Sequence, residues 1–138
     1  MRQNAAQPRI PSVWQRAESN GRDRLQREFG EGFVPLLFDV TDEEGVQAGA
    51  AKVSEHLGRN MLDGLVNNAG IEVIGRLADL PTDQFQHQLE VNLVGPFIVT
   101  KAFLPLLGAD LTREGRPGRI ALSVASIFNN SRTQRLHR

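Results

Sequence analysis

The sequence predicts an α/β chain, part of a doubly wound parallel sheet with about four strands and three main helices. Three observations predict it. Apolar runs of strand length alternate with longer segments of helical period. The run Phe33–Val40 (FVPLLFDV) is apolar on both faces, as a parallel strand covered from two sides must be. Small and polar residues collect at the carboxyl ends of these runs, where open parallel sheets bind ligands.

Residues 1–8 are polar and expected to be disordered. Arg9–Trp14 fits a short strand, although Pro11 removes a ladder donor and confines it to an edge or an irregular place. Ser19–Phe29 fits a helix capped by Ser19 or Asn20. Leu25 and Phe29 share one of its faces, and Gly30 supplies a left-handed stop. After strand Phe33–Val40, Thr41-Asp-Glu-Glu44 forms a capping box. In it the Thr41 hydroxyl accepts from the Glu44 N–H, and the Glu44 carboxylate reaches back. The helix it opens aligns Val46, Ala50, Val53 and Leu57 in one stripe. Asp42, Glu43 and Glu44 suit the positive end of its dipole.

Leu62–Asn68 is the next strand, ending in Asn-Ala-Gly. Pro81 and Thr82 then open a long helix, Asp83–Leu107. Its broad apolar surface (Phe85, Leu89, Leu93, Phe97, Val99, Phe103, Leu107) fits a core helix, and Gly95-Pro96 and Pro105 should kink it. A charged Gly/Pro-rich turn leads to a last strand, Arg119–Ala125. Residues 129–138 are polar, basic and aperiodic, and are expected to be disordered. The crossover rule puts helices on both faces of such a sheet.

Composition narrows the function. The 138 residues suit one domain, and 16 basic against 16 acidic side chains argue against nucleic acid or an anionic membrane as partner. No cysteine means no disulfide, thiolate nucleophile or cysteine-ligated metal. The N-terminus lacks the apolar run of a signal peptide, and no stretch approaches a membrane span, so a cytoplasmic protein is expected. His56, His87 and His137 stand apart, which argues against a metal site. The 14 arginines are scattered among carboxylates and fit solvated helix faces.

The strand ends carry the candidate chemistry. In Asn68-Ala69-Gly70 small side chains let a flat ligand lie against the backbone, and Gly70 is free to take a positive φ. The Asn67 amide could tie neighbouring strand ends together. Asp39 could accept from an adenine amino group or from a loop. Taken singly, each is equally an ordinary turn asparagine or a helix-capping aspartate.

Together, LFDVTD (37–42), LDGLVNNAG (62–70), LEVNLVGPF (89–97) and PGRIALSVAS (117–126) closely resemble the short-chain dehydrogenase/reductase family. The resemblance covers residues 20–126 in register. It implies a Rossmann-like fold, NAD or NADP as cofactor, and hydride transfer between nicotinamide and a small-molecule alcohol or carbonyl. It also implies that Asp39 and Val40 line the adenine pocket, while Asn68, Ala69 and Gly70 run beside the adenosine ribose. Asn92 resembles the catalytic asparagine that holds a water in the proton relay. Ser126, or less well Ser123, resembles the serine that orients the substrate carbonyl. Arg16 sits about where the family distinguishes NADP from NAD, but with the cofactor turn missing it reads as a surface arginine.

Two family motifs have no counterpart. The glycine-rich G-x-x-x-G-x-G turn would lie before residue 9, and Gly30-Glu-Gly32 precedes a strand instead of following one. The tyrosine of Y-x-x-x-K falls past residue 138 when counted from Ser126, and on Leu136 when counted from Ser123; the chain holds no tyrosine at all. The expectation is therefore a single incomplete dinucleotide-binding domain over residues 1–138, lacking the first βα unit and the C-terminal part, and without turnover. With the central strand gone, open edges should make it unstable. The alternative is a non-catalytic assembly fragment that pairs with itself or a full-length relative through helix 83–107.

Overall fold

The structure, a computed structural model, describes residues 27, 28, 33–73, 75, 76 and 78–123. Arg27 and Glu28 are helical, as the Ser19–Phe29 reading requires. The Arg9–Trp14 strand, the rest of that helix, Arg16, Ser126 and both expected disordered ends lie outside the described residues.

Helix α1 spans Glu43–Leu57 and buries Val46, Ala50 and Val53 of the expected stripe together with Gly49, while Leu57 is half-buried. Its cap differs from the expected box by one residue. Asp42, not Thr41, accepts from the Gly45 N–H, at 3.1 Å. Thr41 is already committed, because its N–H and hydroxyl both donate to Asp39 Oδ1, at 2.9 and 2.8 Å. A charged acceptor two residues upstream outcompetes the role of a neutral hydroxyl as cap. Replacing Asp42 by alanine should cost about 1 kcal/mol, read as a lower urea midpoint, whereas Asp42→Asn should stay near the parent value.

Strand β1 covers Gly64–Asn67 and pairs in parallel with β2, Arg119–Leu122, with Leu65 opposite Ile120 and Asn67 opposite Leu122. Both lie inside expected strands. Phe33–Val40 differs: it joins no ladder among the described residues. Phe33, Leu36 and Val40 are buried but Leu37 is 64% exposed, so the segment is anchored on one side rather than sandwiched. A ladder needs a neighbouring strand, and no described residues supply one; Pro35 could not donate to it in any case.

The long helical run has four parts. Helix α2 is Thr82–Leu89, a π-helical turn follows at Glu90–Val94, helix α3 is Gly95–Phe103, and Leu104–Leu107 tightens to a 3-10 turn. Both expected disturbances are present. Pro96 has no N–H for the carbonyl of Asn92, and the π turn lets the helix pass it, with the Gly95 N–H bonding Glu90 O instead. The helix is not a core helix along its whole length. Val99, Phe103, Leu106 and Leu107 are buried, yet α2 buries nothing. Nor does the absence of a spanning stretch hold: Thr82–Leu107 is long and apolar enough to cross a membrane by length and composition alone.

The core joins Leu36 and Val40 to Val46, Ala50 and Val53 of α1, Leu65 of β1, and Val91, Val99, Phe103, Leu106 and Leu107 of the long helical run. Among the described residues this helical layer covers β1 and leaves all four residues of β2 exposed. Arg113 closes the end of the layer away from the β1 carboxyl terminus. Its guanidinium donates to the carbonyls of Gly58 and Asn60 at 3.0 and 3.1 Å and to the Ser54 hydroxyl. It thereby satisfies acceptors left by the C-terminus of α1. Asp110, 3.7 Å from Arg113 Nε, is held below the usual carboxylate range, mainly by the Thr112 hydroxyl and then by the Thr112 N–H.

Candidate functional site

At the carboxyl end of β1 the chain leaves the sheet through Asn68, Ala69 and Gly70. The alternation of β1 turns Leu65 and Asn67 inward, so both are buried. The Asn67 amide donates to the Thr100 hydroxyl of α3 at 3.0 Å. The expected tie between strand ends therefore runs to a helix, because the side chain lies on the helix-facing side of the strand. The strand ends are joined by backbone, with the Ser123 N–H donating to Asn67 O at 2.8 Å.

A shallow open recess lies beside this end, lined by Phe38, Val40, Leu65, Val66, Asn67, Asn68, Ala69 and Val99. Two close approaches shape it. The Phe38 ring lies on Gly49, where an added Cβ would stand 2.6 Å from Phe38 Cε1. Val40 packs on Gly95, where a Cβ would stand 2.5 Å from Val40 Cγ2. Gly49 and Gly95 thus let two recess walls approach the helices, a role sequence reading missed because neither glycine sits in a turn.

Of the sequence-predicted site residues, Val40, Asn68 and Ala69 meet at this recess. Asp39 and Gly70 adjoin it in sequence but are not among its lining residues. Asp39 Oδ1 is occupied by Thr41. Among the described residues the left-handed glycines are Gly58, Gly108 and Gly115, so Gly70 does not use the positive φ open to it. Ser123 is exposed just past β2.

Asn92, in the π turn, holds the next stretch of chain. Its Oδ1 accepts from the Ile71 N–H and its Nδ2 donates to Ile71 O, both at 2.8 Å. One backbone unit thus occupies both ends of the amide. Gln88, one helical turn earlier, accepts from the Val73 N–H at 2.9 Å. Sequence reading did not single it out; the available signal was an amide four residues before Asn92 on the same helix face.

The arrangement suits a flat, partly apolar group: apolar walls, small residues at the mouth, and backbone polar groups of residues 67–70 along one edge.

The family model for short chain dehydrogenases matches residues 12–134. Human retinol dehydrogenase 5 is 44% identical over 89 residues, covering 64% of this chain and 28% of that protein. Human 17-beta-hydroxysteroid dehydrogenase type 6 is 38% identical over 109 residues, covering 78% of this chain and 32% of that protein. The NADPH-bound carbonyl reductase from chicken fatty liver superposes with a TM-score of 0.62 at 28% identity, over 67% of this chain and 38% of that one. A short-chain dehydrogenase from Streptomyces avermitilis shares the fold with a TM-score of 0.66. The chain thus spans 28–38% of the length of the first three of these relatives. With a family model matched over most of its residues and the Asn-Ala-Gly strand end in place, the chain belongs to the short-chain dehydrogenase family.

Proposed function

We propose that the recess at the carboxyl end of β1 is the adenosine side of an NAD or NADP site. The activity of the parent protein is then hydride transfer between nicotinamide and an alcohol or carbonyl carbon of a small-molecule substrate, in a cytoplasmic setting without nucleic acid. The recess carries this reading: Phe38, Val40 and Val99 wall it, and Asn68 and Ala69 form its mouth. The NADPH held by the chicken carbonyl reductase supports the cofactor class.

Asp39 and Gly70 flank the adenosine. Asn92 acts in the proton relay through its backbone carbonyl, because Ile71 engages its side chain and Pro96 cannot give that carbonyl its i+4 hydrogen bond. An acceptor so deprived is suited to hold a water. Ser126 orients the substrate carbonyl. The bound nicotinamide supplies or takes the hydride, and a lowered-pKa phenol would have to move the proton with it. The 138 residues hold neither a glycine-rich turn to cradle the pyrophosphate nor a tyrosine to act as that phenol, so in this reading they bind the cofactor weakly and turn nothing over.

The test is a fluorescence titration with NADPH, followed by an NAD reduction assay with retinol, the alcohol in the name of the 44%-identical relative. Expected are binding weaker than micromolar and no NADH. Micromolar binding would overturn the weak-binding reading, and steady NADH production the inactive one.

One observation favours a second reading, an assembly fragment. Phe85, Leu89, Leu93 and Phe97, spaced by four along the helix, are 46%, 42%, 66% and 65% exposed. Such a row suits pairing with a second copy or a full-length relative. Size-exclusion chromatography with and without that relative decides it; a monomer in both runs removes the reading.

A further inference from the structure

Beyond β1 the chain has no strand partner among the described residues, yet its backbone is paired. Asn92 bonds both polar groups of Ile71, and Gln88 accepts from Val73. The spacing explains how. Four residues of α-helix rise about 6 Å, and two residues of extended chain cover about 6.6 Å. In an extended chain the N–H groups of residues i and i+2 also point to the same side. Two amides at i and i+4 on a helix therefore match the backbone groups of Ile71 and Val73, running antiparallel to the helix.

We propose that Gln88 is a positioning residue, acting with Asn92 as a side-chain ladder that pairs the backbone just beyond β1. It fixes the backbone path of residues 71–73 and, through it, the mouth formed by Asn68 and Ala69. The effect on ligand binding rests on the cofactor reading above; the effect on the backbone does not. Val73 and Gln88 are both half-buried, so water does not fully replace the lost acceptor.

Only an acceptor is required at position 88, which makes the proposal separable from ordinary packing. Gln88→Met keeps the length and apolar stem of the side chain and removes the acceptor; Gln88→Glu keeps an acceptor of the same reach. Amide hydrogen exchange, followed by NMR on the full chain, is the primary measurement. In Gln88→Met the Val73 amide should exchange roughly 3- to 10-fold faster, with the Ile71 amide unchanged. In Gln88→Glu, Val73 should return to the parent rate. NADPH-induced shifts at the amides of residues 68–70 should half-saturate at several-fold higher NADPH in Gln88→Met, and recover in Gln88→Glu.

Equal Val73 exchange in all three proteins overturns the ladder. Equal loss of protection in both variants assigns Gln88 to packing and overturns it too. If NADPH moves no amide in the parent chain, the cofactor reading fails by itself, and the exchange rates still decide the ladder. Should Gln88→Met fail to fold, Gln88→Leu, which also lacks the acceptor, takes its place beside Gln88→Glu, with the same outcomes supporting or overturning the ladder.

Discussion

Asn92→Leu should destabilise the chain by about 2–5 kcal/mol, because it strands the N–H and the carbonyl of Ile71 at once. Leucine nearly matches the amide in shape, so the loss is one of polar partners rather than volume. Both orphaned groups are half-buried behind the helix, where leaving a donor or acceptor unmade costs more than the net gain of making it. Against the 5–15 kcal/mol that holds a typical domain together, such a loss moves the urea midpoint visibly. Asn92→Asp sharpens the test. It preserves an acceptor for the Ile71 N–H but sets a carboxylate oxygen against the Ile71 carbonyl, so it should rescue little at neutral pH. A near-parental midpoint for Asn92→Leu would mean that Ile71 finds water or another partner, and that the amide does not set the loop.

Phe103→Ala should cost about 3–5 kcal/mol, the usual range for emptying a buried phenylalanine site. Phe103 is 1% exposed, in one cluster with Val46, Ala50 and Val53 of α1 and Leu106 and Leu107 of its own helical run. Its helix packs both on α1 and on β1, so closing the cavity would disturb one packing or the other. Phe97, on the same helix but 65% exposed, is the control: Phe97→Ala should change stability by no more than about 0.5 kcal/mol. Thermal unfolding of the two variants side by side separates a core position from a surface one. If the assembly reading is right, Phe97→Ala instead weakens self-association at unchanged monomer stability.

Where the determinants are local, the sequence could be read. The stripe Val46, Ala50, Val53 repeats at helical period within one element, and the structure buries it. The disturbance at Gly95-Pro96 follows from a missing N–H, and the π turn lies just before it. The cap slipped by one residue because Asp39 engages both the N–H and the hydroxyl of Thr41, leaving Asp42 to accept from Gly45. Phe33–Val40 misled for a different reason: apolar composition reports burial, whereas a strand also requires a distant partner.

At the site, Asn92 and the Asn-Ala-Gly turn were legible as motif. Gln88 was not, since its meaning depends on Val73, fifteen residues away across a loop. Arg113 was hidden in a charged turn for the same reason, its acceptors lying more than fifty residues upstream.

The π turn at Glu90–Val94 carries one consequence for how this segment tolerates change in length. One residue added to a helix rotates everything beyond it by about 100°. Upstream of the turn, Gln88 and Asn92 face the loop; downstream, Val99 and Phe103 face the core. The π turn takes up one residue more than an α-helical turn, so the two faces keep the phase they would have in an α-helix one residue shorter. A residue added or removed between Gly95 and Val99, where no such turn absorbs it, would instead rotate the core face by about 100° and turn it toward solvent. A deletion within residues 108–116 rotates no helical face, although at Arg113 it removes the contacts to Gly58, Asn60 and Ser54. Chain length is therefore under tighter physical constraint inside this helix than in the turn that follows it.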